Sequence, residues 1–182
     1  METSEMSPEI PLNETQVYSG RVVNLVVVDV QLQNGQESKR ELVRHPGAVA
    51  IVAIDENDQV LLVRQYRFAA RQVMVEIPAG TLNIGEDPAA CAIRELTEET
   101  GCKAAQIDSL GGIFVAPGYP TEFIHLFLAK GLSESRLAMD DDEFIDVQRL
   151  PFAEALAMID RGKIIDGKSI AALLKVARLR GK

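Results

Sequence analysis

The sequence predicts an α+β fold, an α/β/α sandwich with a mixed central sheet and a small β unit ahead of it. Three observations predict it. Apolar and β-branched runs of strand length dominate the first half of the chain, one helix with clear start and stop signals follows them, and two helical segments close the C-terminal end.

Met1 to Asn13 is polar and contains proline, so residues 1–13 are expected to be a flexible, frayed N-terminus. From Thr15 to Gln33 the run Val22, Val23, Leu25, Val26, Val27, Val28 and Val30 reads as strand, and Asn34-Gly35 supplies a hairpin turn to a partner at Lys39 to Arg44. Residues 14–45 thus form an N-terminal β unit and residues 46–182 the main domain. A small, Val-rich hairpin cannot bury both faces by itself, so it must pack on the main domain or on a second chain.

Ala48 to Ile54 and Gln59 to Tyr66 are apolar runs separated by the turn residues Asp55-Glu56-Asn57-Asp58, which predicts a second hairpin. Val73 to Ile77 is a short strand stopped by Pro78-Ala79-Gly80. Asp87 is a helix N-cap, Pro88 the first helical residue and Gly101 the stop, so a helix is expected over Pro88 to Thr100. Strands are expected at Ile107 to Val115, Phe123 to Ala129 and Ile145 to Arg149. Helices follow at Pro151 to Arg161 and Ser169 to Arg180, the latter facing the core with Ile170, Leu173, Leu174 and Ala177.

A formal net charge of -8 argues against nucleic-acid binding, which needs clustered Lys and Arg. The same charge repels an anionic substrate unless a cation intervenes. Cys91 and Cys102 lie eleven residues apart with only His45 and His125 elsewhere, so neither a zinc site nor a disulfide framework is indicated and both read as reduced core residues. No apolar run approaches the ~20 residues that span a bilayer, and no signal peptide is visible, which makes a cytoplasmic protein the expectation.

The chemistry is concentrated between Gly80 and Cys102, in the run Gly80-x5-Glu86-x7-Arg94-Glu95-Leu96-x-Glu98-Glu99-x-Gly101-Cys102. On a helix Glu95, Glu98 and Glu99 project from one side and repel one another. Such a helix loses stability unless something cationic sits among them, and oxygen ligands at this density suit magnesium, with manganese also compatible. Arg94 can reach Glu98 one turn along and hold it ionised. Glu86 can join the cluster, and a turn at Ala79-Gly80 can direct the Ala79 carbonyl to the metal. Any single glutamate pair reads most simply as a solvated acidic face, but that reading does not account for four glutamates, an arginine and the glycines Gly80, Gly85 and Gly101 coinciding in one run.

The run resembles the Nudix box, matching every charged and glycine position and departing only at Cys102, where a bulky aliphatic is usual. The resemblance implies hydrolysis of a nucleoside diphosphate linked to another moiety. Two flanking segments resemble the ADP-ribose pyrophosphatase branch: Glu76-Ile77-Pro78-Ala79-Gly80, and Ala116-Pro117-Gly118-Tyr119-Pro120-Thr121-Glu122, whose Pro117 is fifteen residues beyond Cys102. This implies ADP-ribose as substrate, with magnesium held by Ala79, Glu86, Glu95, Glu98 and Glu99. It also implies a general base at Glu122 on a mobile loop, with Glu98 as the competing base. Arg67, Glu76 and, from an N-terminal segment that crosses to a partner subunit, Arg21, Val22 and Glu41 would bind substrate in a homodimer. The alternatives are hydrolysis of another nucleoside diphosphate sugar such as GDP-mannose, and a non-catalytic nucleotide-binding module.

Overall fold

The structure is a computed structural model that describes residues 8–135 and 145–181. The chain separates into two compact units, one comprising residues 1–45 with 116–122 and the other residues 46–115 with 123–182.

The first unit is a three-stranded antiparallel sheet of β1 (Ile10–Ser19), β2 (Asn24–Gln31) and β3 (Glu37–Arg44), with β2 central. Strand structure thus begins at Ile10, inside the segment expected to be frayed. The long β-branched run is not one strand: Gly20 N–H donates to the Val23 carbonyl at 2.8 Å, closing a turn that sends β2 back along β1. A count of β-branched residues runs straight over this break, because Val22 and Val23 have strand propensity but stand exposed in the turn. Val26, Val28 and Val30 alternate onto one buried face of β2, and Asn34-Gly35 makes the expected turn with Gly35 at φ 81°. The loop Ala116–Glu122 is bonded to the end of β3. Val43 N–H donates to Tyr119 O, Thr121 N–H donates to Val43 O, and His45 N–H donates to Thr121 Oγ1, each at 2.9 Å.

The second unit is layered. Its main sheet runs β7-β4-β9-β8, where β4 is Ala48–Ala53, β7 Ala79–Thr81, β8 Cys102–Phe114 and β9 Phe123–Glu134. The β4–β9 pairing is parallel and the others antiparallel, so the sheet is mixed. A second sheet of β10 (Asp146–Pro151), β5 (Gln59–Arg67) and β6 (Gln72–Glu76) accompanies it. All six residues of β4 are buried, as a strand covered on both faces requires. Ala48, Ala50 and Val52 pack with Phe152, Leu173 and Val176, while Val49, Ile51 and Ala53 pack with Cys91, Ala92 and Leu96. The period-2 alternation of one apolar run therefore serves two cores, one under α1 (Pro88–Thr100) and one under α2 (Phe152–Asp160) and α3 (Gly167–Leu179).

Several expectations change here. β4 and β5 do not form a hairpin: between them only Ile54 and Val60 bridge, and each strand is built into a different sheet. The turn residues are real, but two strands that each need partners on both edges cannot satisfy one another. β8 starts at once after α1, earlier than its apolar pattern suggests, because Gly101 reverses the chain and β9 supplies a partner from Cys102 onward. Leu174 is exposed, and α3 turns Val176 inward in its place.

α1 has the bounds its caps predict. Asp87 accepts from the Ala90 N–H at 2.9 Å, and Gly101 adopts φ 65°, a left-handed conformation that costs glycine little. Leu96 is fully buried at the α1 core. Leu96→Ala should cost about 2–5 kcal/mol, read as a lower urea midpoint at unchanged slope in equilibrium unfolding.

Candidate active site

α1 presents its acidic face to the strand β7 across a short gap. Arg94 is the centre of the arrangement. Its Nε donates to Glu86 Oε1 at 3.0 Å, Nη2 to Glu86 Oε2 at 3.1 Å, and Nη1 to both Glu95 at 2.7 Å and Glu98 at 2.9 Å. Three carboxylates therefore share one guanidinium, whose planar fork of donors suits this role better than an ammonium would. Their hydrogen bonds, from Glu86 first, hold Arg94 protonated well above its ordinary range. In return Arg94, followed by the Asn83 backbone N–H, holds Glu86 at about 2. The Cys91 thiol lies 3.3 Å from Arg94 Nη2 and is pushed up to about 12, chiefly by burial.

Glu99 lies on the same face but has a different environment. Its residue is only 7% exposed and its Oε2 accepts the Ala79 N–H at 3.0 Å, so this is not the open helix surface that spacing alone suggests. Gly80 is explained by the same closeness. Its φ is not positive; instead a Cβ there would collide with the carboxylate of Glu95. Gly85 and Gly101, by contrast, do adopt positive φ.

Arg67, at the end of β5, and Glu76, at the end of β6, bond each other directly: Nε to Oε1 and Nη2 to Oε2, both at 2.8 Å. Glu76 is buried at 2% exposure. Burial pushes its carboxyl up, but the Arg67 hydrogen bonds and the Lys168 charge reverse this and hold it at about 2. Arg67 is raised by its bond to Glu76. A cavity of about 390 Å³ collects Arg67, Ala79, Gly80, Arg94, Glu95 and Glu99, together with Gln65, Thr81 and Asn83.

Other expected residues belong to the first unit. Glu122 and His45 belong to the first unit, with His45 Nε2 3.9 Å from Glu122 Oε1. The loop that carries Glu122 is tied to β3 by the backbone bonds described above. Arg21 and Val22 lie in the turn after β1, and Glu41 on β3, all exposed in that same unit.

The sequence profile of the NUDIX domain matches residues 44–173. The chain belongs to the NUDIX family. Among its relatives is a methanol dehydrogenase activator of Bacillus methanolicus, 48% identical over 91% of this chain and 90% of that protein. An ADP-ribose pyrophosphatase of Bacillus subtilis is 40% identical over the same shares. The solved structure of an ADP compounds hydrolase superposes with a TM-score of 0.85 at 24% identity, covering 98% of both chains, which is a likeness of fold.

The chain is thus a Nudix hydrolase, and Nudix hydrolases generally use divalent metal ions. Among the described residues no three His, Cys, Asp or Glu side chains converge as a metal cage. Arg94 is hydrogen-bonded to Glu86, Glu95 and Glu98. The donors still fit a hard divalent ion. They are carboxylate oxygens, those of Glu95 and Glu99 border a polar cavity, and glycine at position 80 leaves room for Glu95 beside β7.

Sequence reasoning missed Lys168, which reaches Glu76 from α3, and Asp166, which pairs with Lys168 from the cap of that helix. Asp166 is legible only as a helix N-cap, and no local pattern links it to β6, 90 residues earlier in the chain.

Gly80→Ala should abolish most activity with the fold retained, measured as turnover beside circular dichroism, because the new methyl displaces the Glu95 carboxylate. Glu76 should also shape acid stability. Its folded carboxyl lies at about 2 against an ordinary 4.5, so its contribution is complete above pH 4.5 and is lost as pH falls toward 2. Unfolding free energy measured against pH should show that acid limb, and Glu76→Gln should remove it.

Proposed function

We propose that this protein hydrolyses the pyrophosphate bond of ADP-ribose to AMP and ribose 5-phosphate, using magnesium. The observation that carries the reading is the complete set of box carboxylates: Glu95 and Glu99 line a polar cavity that also contains Arg67, and Glu86 and Glu98 join Glu95 on Arg94. A non-catalytic nucleotide-binding module would not need all four. The kinship to an ADP-ribose pyrophosphatase supports the substrate.

In this reading Glu95, Glu99 and the Ala79 carbonyl, with Glu98 and Glu86, would hold the metal. Bound there, a divalent ion supplies charge neutralisation for the diphosphate and acidifies water. Glu122 accepts a proton from the attacking water. The water oxygen bonds to one phosphorus, the bond from that phosphorus to the bridging oxygen breaks, and the bridging oxygen leaves with the other phosphate. Arg67 binds the phosphate oxygens by charge-assisted hydrogen bonds. Arg94 bonds Glu86, Glu95 and Glu98 and holds the Glu86 carboxyl in its charged form, which makes it a positioning residue.

A homodimer in the cytoplasm is part of the proposal. β1 is the edge strand of its sheet, and all ten of its residues are exposed, including Ile10, Leu12, Val17 and Tyr18. An exposed edge with this much apolar surface favours pairing with a second copy, which would carry Arg21, Val22 and Glu41 to the partner's substrate. No described helix is long and apolar enough to cross a membrane.

The test is magnesium-dependent release of AMP from ADP-ribose, with GDP-mannose as comparison. Glu99→Gln should lower turnover about 100-fold or more, since the amide oxygen still accepts the Ala79 N–H while the charge is gone. Glu122→Gln should lower turnover with metal binding retained. Near-normal turnover in Glu99→Gln, or a far larger loss in Glu98→Gln than in Glu122→Gln, would reassign the roles.

A further inference from the structure

We infer that Lys168 is a positioning residue for substrate binding, acting through Glu76 on Arg67. The inference rests on the proposed hydrolysis of a diphosphate at this cavity and names a residue outside the Nudix box that tunes it.

Four charged side chains stand in a row from α3 to the cavity. Asp166 Oδ2 lies 3.0 Å from Lys168 Nζ, Lys168 Nζ donates to Glu76 Oε2 at 2.5 Å, and Glu76 takes Arg67 through both oxygens at 2.8 Å. The row is well shielded: the side chains of Glu76, Lys168 and Asp166 are 2%, 14% and 16% exposed. Only Arg67, at 41%, opens to solvent, and it lines the cavity.

Glu76 Oε2 is shared by two cations, and this sharing is the point. Asp166, Lys168, Glu76 and Arg67 sum to zero charge. Without Lys168 the same row carries one net negative charge beside a cavity already lined by Glu95 and Glu99. Arg67 would then be wholly matched by a buried carboxylate, and its field would do less for a diphosphate. Shielded charges interact strongly, so the loss is not screened as it would be on an open surface.

Lys168 is also held in place. Asp166 caps α3 by accepting the Ser169 N–H at 3.0 Å, and Ser169 Oγ accepts the Ile77 N–H at 2.9 Å, one residue beyond Glu76. The ammonium is thus fixed relative to the carboxylate it shares.

Lys168→Met retains the side chain's length and removes its charge. With ADP-ribose and magnesium it should raise KM about 10-fold with kcat within about 2-fold, the size expected for coupled charges in one network. Lys168→Arg should restore most of the loss. In an Arg67→Met background the Lys168→Met change should shift KM less than about 2-fold, because the effect has to pass through Arg67. Calorimetric binding of inorganic pyrophosphate should weaken in parallel, whether or not the wild-type protein turns over ADP-ribose. A lower melting temperature with KM and pyrophosphate affinity unchanged would make Lys168 a structural staple only and overturn the inference. So would an undiminished effect in the Arg67→Met background. Absence of ADP-ribose turnover in the wild type, with pyrophosphate binding still dependent on Lys168, would instead overturn the substrate reading. Should Lys168→Met fail to fold, the same comparisons apply to Lys168→Gln.

Discussion

Like charges on one helical face are the constraint around which this structure is arranged. Glu95, Glu98 and Glu99 are spaced so that they must crowd together, and α1 tolerates them because a guanidinium lies among the carboxylates. Arg94 is drawn from the same helix, so the acidic face carries its own counter-charge. Much else follows from accommodating that face. Position 80 must be glycine because Glu95 fills the space of a side chain, and the Ala79 N–H is turned to Glu99. The pairing of β7 with β4 brings both backbone groups to α1.

Charge is handled the same way at the other side of the cavity. Arg67 and Glu76 form a forked pair whose acid is buried and whose base is open. A buried carboxylate is costly unless cations and hydrogen bonds surround it, and here two cations do. The cavity is therefore bordered by two guanidiniums, each held by glutamate. An anionic ligand there would meet positive charge that is already oriented.

The scaffold explains why these groups can be held so closely. β4 is buried on both faces, and its alternate residues belong to separate cores under α1 and under α2 with α3. A strand clamped in this way fixes β7, and with it Ala79 and Gly80. The first unit follows a different logic, with one buried valine face on β2 and a wholly exposed β1. It also includes the segment that ends in Glu122, which a division at residue 46 had assigned to the main domain.

The sequence by itself determined the local features. Asp87, Pro88 and Gly101 set the bounds of α1, Asn34-Gly35 set a turn, and the spacing of glycine, arginine and glutamate identified the chemistry, because each depends on contacts within a few residues. Tertiary structure alone decided which strands pair, why Gly80 is glycine, that Glu99 is buried, and that Lys168 reaches Glu76. Those outcomes depend on groups distant in the chain competing for the same space and the same hydrogen bonds, a competition that no local propensity encodes. The break at Gly20 falls between the two kinds: its turn residue is visible, but only pairing of β1 with β2 makes a turn more stable than a continued strand.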